Sequence, residues 1–447
     1  MRTLTRTLRL LAALATATAL TQSATAAGYL WNVATPGENN WNVNANWLPA
    51  TGNPGASDTA LFGTNGVSAD QFTANNVVSA STTVAALTFT NLGSSGMWNV
   101  TRIPAGVTLT VNGPTVMGGF TSTSALAPTT VAFLDAGTLS LSGTLTVGNA
   151  GSGFTTSTAD FSGLSNLVVN AGAGTIAIGN GNRSAVHWKL AGISNYITAA
   201  ALNDNSTSTS SSGTGNTTLG PGTNSFNVGT FNVGYGRTRT TISFPSGYYG
   251  GGLRIRGAAG TDASLCNMTL GNHNTSGSGS TADGTLTLDG NTADLRFGTL
   301  SLGLSSSGPT GNSPGNGTLS FDTGTVFASN IVMAVSSGTT AFAVANGTIT
   351  IGSSASLTVG SGGISMASQS AASGTATGTL TVNGGALICS NSITKANTTG
   401  VANITLNGGS LTMAGGVVGT AAVPIDSLNA YSANLTMSVT ANVTNAS

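Results

Sequence analysis

Lysine and glutamate are almost missing from this sequence. Lys189 and Lys395 are the only lysines, and Glu38 is the only glutamate. Charged residues make up 5% of the chain, against roughly a quarter in ordinary globular domains. That poverty excludes a broad basic surface, and with it nucleic acid as a partner. It also removes the side chains that normally clothe helices. Cysteine is equally rare. Cys266 and Cys389 stand alone at a separation that fits no metal motif. They read as two small buried side chains, although an exported chain permits a disulfide between them. Histidine occurs only as His187 and His273, neither at metal-ligand spacing from another ligand. After the first 26 residues, no apolar run reaches the roughly eighteen residues of a membrane-crossing helix.

The sequence does begin with a leader. Arg2, Arg6 and Arg9 precede the apolar run 10–20, and Ala24-Thr-Ala26 supplies a small-residue cleavage site. That order is a secretory signal peptide over residues 1–26, which makes the mature chain secreted or displayed at the cell surface. Beyond it, Gly, Thr, Ser and Asn dominate. Hydrophobic residues still amount to 39%, and they fall in short alternating runs, which argues against disorder.

One short motif recurs. It appears as Gly137-Thr-Leu-Ser-Leu141, Gly143-Thr-Leu-Thr-Val147, Gly284-Thr-Leu-Thr-Leu288 and Gly298-Thr-Leu-Ser-Leu302. It returns at Gly317, Gly347 and Gly378, and in degenerate form as Asn403-Ile-Thr-Leu406. The starts at Gly284, Gly317, Gly347 and Gly378 lie roughly 30 residues apart, a period typical of stacked repeats. In each copy a hydroxylated residue alternates with an aliphatic one, the pattern of a strand with one buried face. Asp289-Gly290, Asn383-Gly384 and Asn407-Gly408 then supply corner residues. A single unit cannot bury its apolar face, whereas stacked copies can. The fold expected is all-β, an elongated right-handed parallel β-helix (β-solenoid). A β-sandwich of short hairpins would share the strands but does not require the steady period.

In this register Leu286, Leu288, Leu319, Phe321, Ile349, Ile351, Leu380, Val382, Ile404 and Leu406 point inward. The domain reading is a leader at 1–26, a Trp/Asn-rich capping element at 27–65, and solenoid repeats at 66–447, clearest at 284–425. Residues 203–215, almost wholly Asn, Ser, Thr and Gly, read as a loop or linker. Residues 185–201, with His187, Trp188 and Tyr196, read as a protruding segment or a strained coil. Alternation recovers at Phe226, Val228, Phe231 and Val233. Residues 423–447 show no aromatic cluster, amphipathic helix or charged block that would cap a final coil. The expected consequences are further repeats, an anchoring module or a partner, and end-to-end self-association of the isolated chain.

Two segments resemble a known family. Trp31, Trp41, Asn46-Trp47, Pro49 and Asp58-Thr-Ala-Leu-Phe62 reproduce, in order, the element that opens autotransporter-associated β-strand repeat proteins. The stretch from Gly284 to Leu302, with its Phe297-Gly298 step, is similar to the repeat itself. The resemblance implies a passenger-type solenoid carried to the cell surface. The sequence departs from it in ending without the aromatic-girdled strands of a translocator barrel.

Parallel β-helices can carry polysaccharide-degrading sites, so the acids matter. Asp283, Asp289 and Asp294 form the tightest cluster, and Asp289-Gly290 reads as a solvated turn. Arg254 and Arg256 share one strand face, as do Arg237 and Arg239. They read as a snorkelling edge, with an anion-binding strip as the functional alternative. Trp31, Trp41 and Trp47 read as a cap over the first coil, with a sugar platform as the alternative. No nucleophile elbow, phosphate loop or calcium nonapeptide is present. No catalytic, cofactor-binding or metal-binding residue is therefore assigned. The expected function is a non-enzymatic structural or adhesive surface protein whose partners are surface glycans or other envelope components. The alternative is a polysaccharide-binding or polysaccharide-degrading enzyme on the same fold. Convergence of three acids, or of acids with an arginine, in one groove would favour the enzyme.

Overall fold

The computed structural model describes residues 27–90, 96–118, 129–148, 155–179, 184–205, 208–274, 281–306, 313–337, 343–370, 374–437 and 442–443. The described chain is almost entirely strand, with a single 3₁₀ turn at Asn44–Asn46. Each coil visits three parallel ladders in turn. Asn99–Arg102, Thr130–Leu134, Thr155–Asp160 and Ser184–Lys189 stack in the first ladder. Thr108–Val111, Thr138–Leu141 and Asn166–Asn170 stack in the second. Thr59–Phe62, Ala86–Phe89, Thr115–Met117, Leu145–Val147 and Thr175–Ile178 stack in the third. Farther along, the corners straighten, and Ala343–Gln369 passes through all three ladders in one unbroken strand. Each strand pairs with its equivalent one coil away, so backbone donors and acceptors are satisfied along the rod axis.

The repeat register holds. Leu286, Leu319, Ile349, Leu380 and Ile404 lie one above the next. Phe321, Ile351, Val382 and Leu406 form a second column. These residues and Leu288 are fully buried, while Thr287, Ser320, Thr350, Thr381 and Thr405 between them are not. Burying each aliphatic side chain stabilises the fold by about 1.5–3 kcal/mol before entropy is counted.

The first coil is closed by aromatics. The strand Gly28–Trp31 pairs in parallel with Thr59–Phe62 on one edge and antiparallel with Trp47–Leu48 on the other. Trp47 lies 5.0 Å from Trp31 and 5.4 Å from Trp41, edge to face in both cases. All three tryptophans sit at 1% exposure or less. Trp41 Nε1 donates to Asn76 Oδ1 at 2.6 Å, and Trp47 Nε1 donates to the Trp41 carbonyl at 2.8 Å. Phe62 continues the stack onto Phe89, 5.0 Å away, and Phe133 and Phe161 extend it inward. The tryptophans are thus a hydrophobic lid over the end of the rod. Burial leaves no ring face for a sugar.

Two readings of the middle of the chain are corrected. Residues 185–201 are neither protruding nor strained. Ser184–Lys189 and Ser194–Asp204 are ordinary rungs, with Trp188 fully buried. The 203–215 stretch is not a linker. Its strand Ser208–Thr218 continues the first ladder, with 213–218 in register with 238–243. Inward positions here are taken by Asn195, Asp204 and Thr217, so the apolar alternation is interrupted while the ladder is not. Asn195 and Asn224 form a two-rung amide ladder, Asn195 Nδ2 donating to Asn224 Oδ1 at 2.9 Å. Each amide also pairs with its own corner, at Ala191 and Gly220 respectively.

Candidate functional site

The coil between Ser243 and its ladder partner Thr287 is the longest of the described coils. Two insertions lengthen it, at 244–251 and 257–265, on either side of the strand Gly252–Arg256. The first insertion contains two left-handed glycines, Gly247 and Gly250, and presents Tyr248 and Tyr249 to solvent. Tyr249 is 72% exposed. The insertion is held by the next coil. Asn291, itself buried, accepts the Gly251 N–H at 2.9 Å and donates to the Tyr248 and Asp289 carbonyls at 3.2 Å. Tyr249 rests on Gly290, where a Cβ would fall 2.1 Å from the ring.

Under this loop lies an open cleft of about 290 Å³, floored by Phe244 and Thr287 and edged by Asp289 and Asp322. Each carboxylate is fixed by a neighbour. Ser320 Oγ donates to Asp289 at 2.8 Å, and the Gly290 N–H donates to Asp322 at 2.8 Å. A second cleft of about 400 Å³ includes Phe72, Glu38, Asp135 and Arg102, and there Arg102 pairs with both acids.

The second insertion is clamped by arginines. Arg256 Nη2 donates to both Asp294 carboxylate oxygens at 2.7 and 2.8 Å, and Arg256 Nε donates to Asp262 at 2.8 Å. Arg256 Nη1 donates to the carbonyls of Ile255 and Asp294. Arg254 donates to the Gly260 carbonyl at 2.9 Å. Arg256 is buried under the loop rather than snorkelling from an edge, which corrects the sequence reading for that residue. The Arg256 guanidinium lowers the Asp262 pKa.

The sequence cluster of Asp283, Asp289 and Asp294 is dispersed. Asp283 pairs with Arg239 at 3.1 Å and accepts from Asn316. Asp289 faces the tyrosine cleft, and Asp294 meets Arg256. Asp262 and Asp294 do converge with an arginine, as the enzyme alternative asks. His187 sits half-buried beside Lys189, and burial followed by that charge lowers its pKa. His273 is fully buried, and both ring nitrogens lack a hydrogen-bond partner among the described residues. Burial and the nearby Arg237 push its pKa down to about 4. Cys266 and Cys389 are separate buried thiols, and burial raises both pKa values. Among the described residues no three His, Cys, Asp or Glu side chains gather as a metal site, and no helix is long and apolar enough to cross a membrane.

Sequence reading missed Asp204, Tyr249 and Asp322. Asp204 lies in the apolar column between Ile178 and Val233, and its burial raises the pKa to about 6. The interruption of alternation at 203–205 was its only signal. Comparison with protein-family models, with curated proteins and with solved structures yields no match.

Proposed function

We propose that this chain is an exported, non-enzymatic surface rod with a structural or adhesive role. One observation carries the reading: the parallel ladders follow one another from the tryptophan lid through the last described rungs. The architecture gives the chain length and a regular outer face of hydroxyl and amide side chains. Asn203 and Asn232 pair across rungs on that face, as do Asn316 and Asn346. Such a surface suits polar contacts with glycans or other envelope components along its length. End-to-end association of copies belongs to the same proposal. The resemblance to autotransporter-associated repeats agrees with export through the leader at 1–26, and the route beyond that is part of what must be measured.

The Arg256, Asp262 and Asp294 convergence favours a second reading, a polysaccharide-acting enzyme. The physics of that cluster weighs against it. A general acid in glycosidic chemistry needs a raised pKa, and Arg256 acts on Asp262 in the opposite direction.

The test has two arms. The full chain with an epitope tag is expressed in a Gram-negative host, and intact cells are treated with protease. Loss of the tagged chain from intact cells is the expected result. Protection in intact cells together with retention in the cytoplasm would defeat the reading. In the second arm the purified mature chain is incubated with a polysaccharide panel. Release of reducing ends or of unsaturated products, abolished by Asp294→Asn, would replace the proposal with the enzyme.

A further inference from the structure

We propose that the cleft beneath the 244–251 insertion binds a neutral saccharide chain, a reading that rests on and deepens the adhesive proposal. The insertion is one of two that lengthen this coil, and its exposed tip is aromatic. Here the Tyr249 ring is backed by Gly290 while much of its surface stays in water. A ring supported in this way offers a flat apolar platform, and the C–H face of a pyranose matches it.

The polar groups of the cleft fit the same ligand. Among the described residues, Asp289 and Asp322 each receive one hydrogen bond. A carboxylate accepts about four, so lone pairs remain on both for sugar hydroxyls. The two negative charges disfavour uronic acids and sulfated sugars, which selects neutral chains. The cleft's volume of about 290 Å³ lies just below the range for small-molecule pockets, about 300–1,000 Å³. The open form suits one or two residues of a longer chain lying across the rod. The loop is also preorganised. The Asn291 amide fixes it before any ligand arrives, which lowers the ordering cost of binding. The Arg256 clamp fixes the other insertion of the same coil.

The experiment uses the full mature chain. Neutral oligosaccharides of glucose, mannose, galactose and N-acetylglucosamine are titrated by saturation-transfer NMR and calorimetry, with oligogalacturonate as the anionic probe. At least one neutral probe is expected to bind, and oligogalacturonate is expected to bind at least tenfold more weakly. Tyr249→Ala weakens the neutral probe at least tenfold, and Asp322→Asn weakens it severalfold. Tyr196→Ala, at an exposed tyrosine on a different coil, leaves affinity unchanged. Thermal melts of all variants separate lost binding from lost folding. Equal affinity in wild type and a folded Tyr249→Ala variant overturns the site. So does failure of every neutral probe to bind. If that failure accompanies retained adhesion of the chain to intact cells, only this site falls and the adhesive reading stands.

Discussion

At the residue scale, the interior holds two titratable side chains whose effects oppose each other. Asp204 accepts from Thr217 and from Asn205 Nδ2 but remains fully buried among aliphatic neighbours. Its pKa is raised from 3.8 to about 6. The native state therefore holds a proton that the unfolded chain has lost, and stability falls as pH rises from about 4 to 6. His273 behaves in reverse. Its pKa is lowered from 6.5 to about 4, so the unfolded chain holds the extra proton and stability rises with pH over that window. Each slope is about 1.4 kcal/mol per pH unit. The two contributions nearly cancel, leaving the pair with little net pH dependence between pH 4 and 6. Asp204→Asn keeps the side-chain shape and removes one slope. Its stability in urea is expected to climb by about 2–3 kcal/mol between pH 4 and 6 relative to wild type. A parallel pH dependence in the two proteins would show that Asp204 titrates normally. The sequence hid this pair because a lone Asp and a lone His carry no motif. Their depth inside the coil gives them their effect.

At the element scale, the third ladder ends in a column of left-handed residues. Val233, Leu270, Leu302, Met333 and Met366 stack in register. The residues that follow them are Gly234, Gly271, Gly303, Ala334 and Ala367, with φ of 65, 67, 68, 57 and 55°. That geometry bends the strand into the corner and turns Ser305 and Ser336 into the interior. At Gly303 a Cβ would lie 2.0 Å from the Asn346 carbonyl oxygen. Gly303→Ala is therefore expected to destabilise the chain by more than 2 kcal/mol, from backbone strain and the clash together. Ala367→Gly goes the other way. It relieves the left-handed strain of a residue with a Cβ, and a gain of about 0.5–1 kcal/mol is expected. Urea melts of both variants check the pair, and a loss in Ala367→Gly would contradict the strain argument. Turn signals such as Asn407-Gly408 are legible from sequence because glycine beside Asn marks a corner. Ala334 and Ala367 are not, since alanine carries no such mark and only the register with Gly303 reveals the conformation. The repeat strands were legible at the copies that begin at Gly284, Gly298, Gly317, Gly347 and Gly378, where Thr or Ser alternates with an aliphatic residue. The rungs at 184–218 were not, because Asn195, Asp204 and Thr217 occupy inward positions and break the period on which the reading depends.

At the scale of the whole molecule, the two ends differ. The tryptophan lid covers the first coil, with Trp31, Trp41 and Trp47 packed on Phe62. Trp47→Ala is expected to cost about 3–5 kcal/mol, since it empties the centre of that cluster. Ser427–Tyr431 and Asn434–Met437 pair with the preceding coil on one edge only among the described residues, and Tyr431 and Leu435 are exposed. Unpaired strand edges with apolar side chains favour addition of another strand. The purified 27–447 chain is expected to associate with rising concentration in sedimentation velocity, and Tyr431→Lys with Leu435→Lys is expected to suppress it. A monodisperse chain at high concentration, with the same behaviour in the double variant, would rule that out. Strand content, coil period and the inward columns of the repeats are written in the order of residues, because alternation and corner glycines act locally. So is the aromatic content of the lid. The burial of Asp204, the clamping of an insertion by Arg256, and the meeting of Tyr249, Asp289 and Asp322 at one cleft arise only in the folded coils. Those pairings join residues about a coil apart, and the winding of the chain, which no local pattern encodes, brings them together.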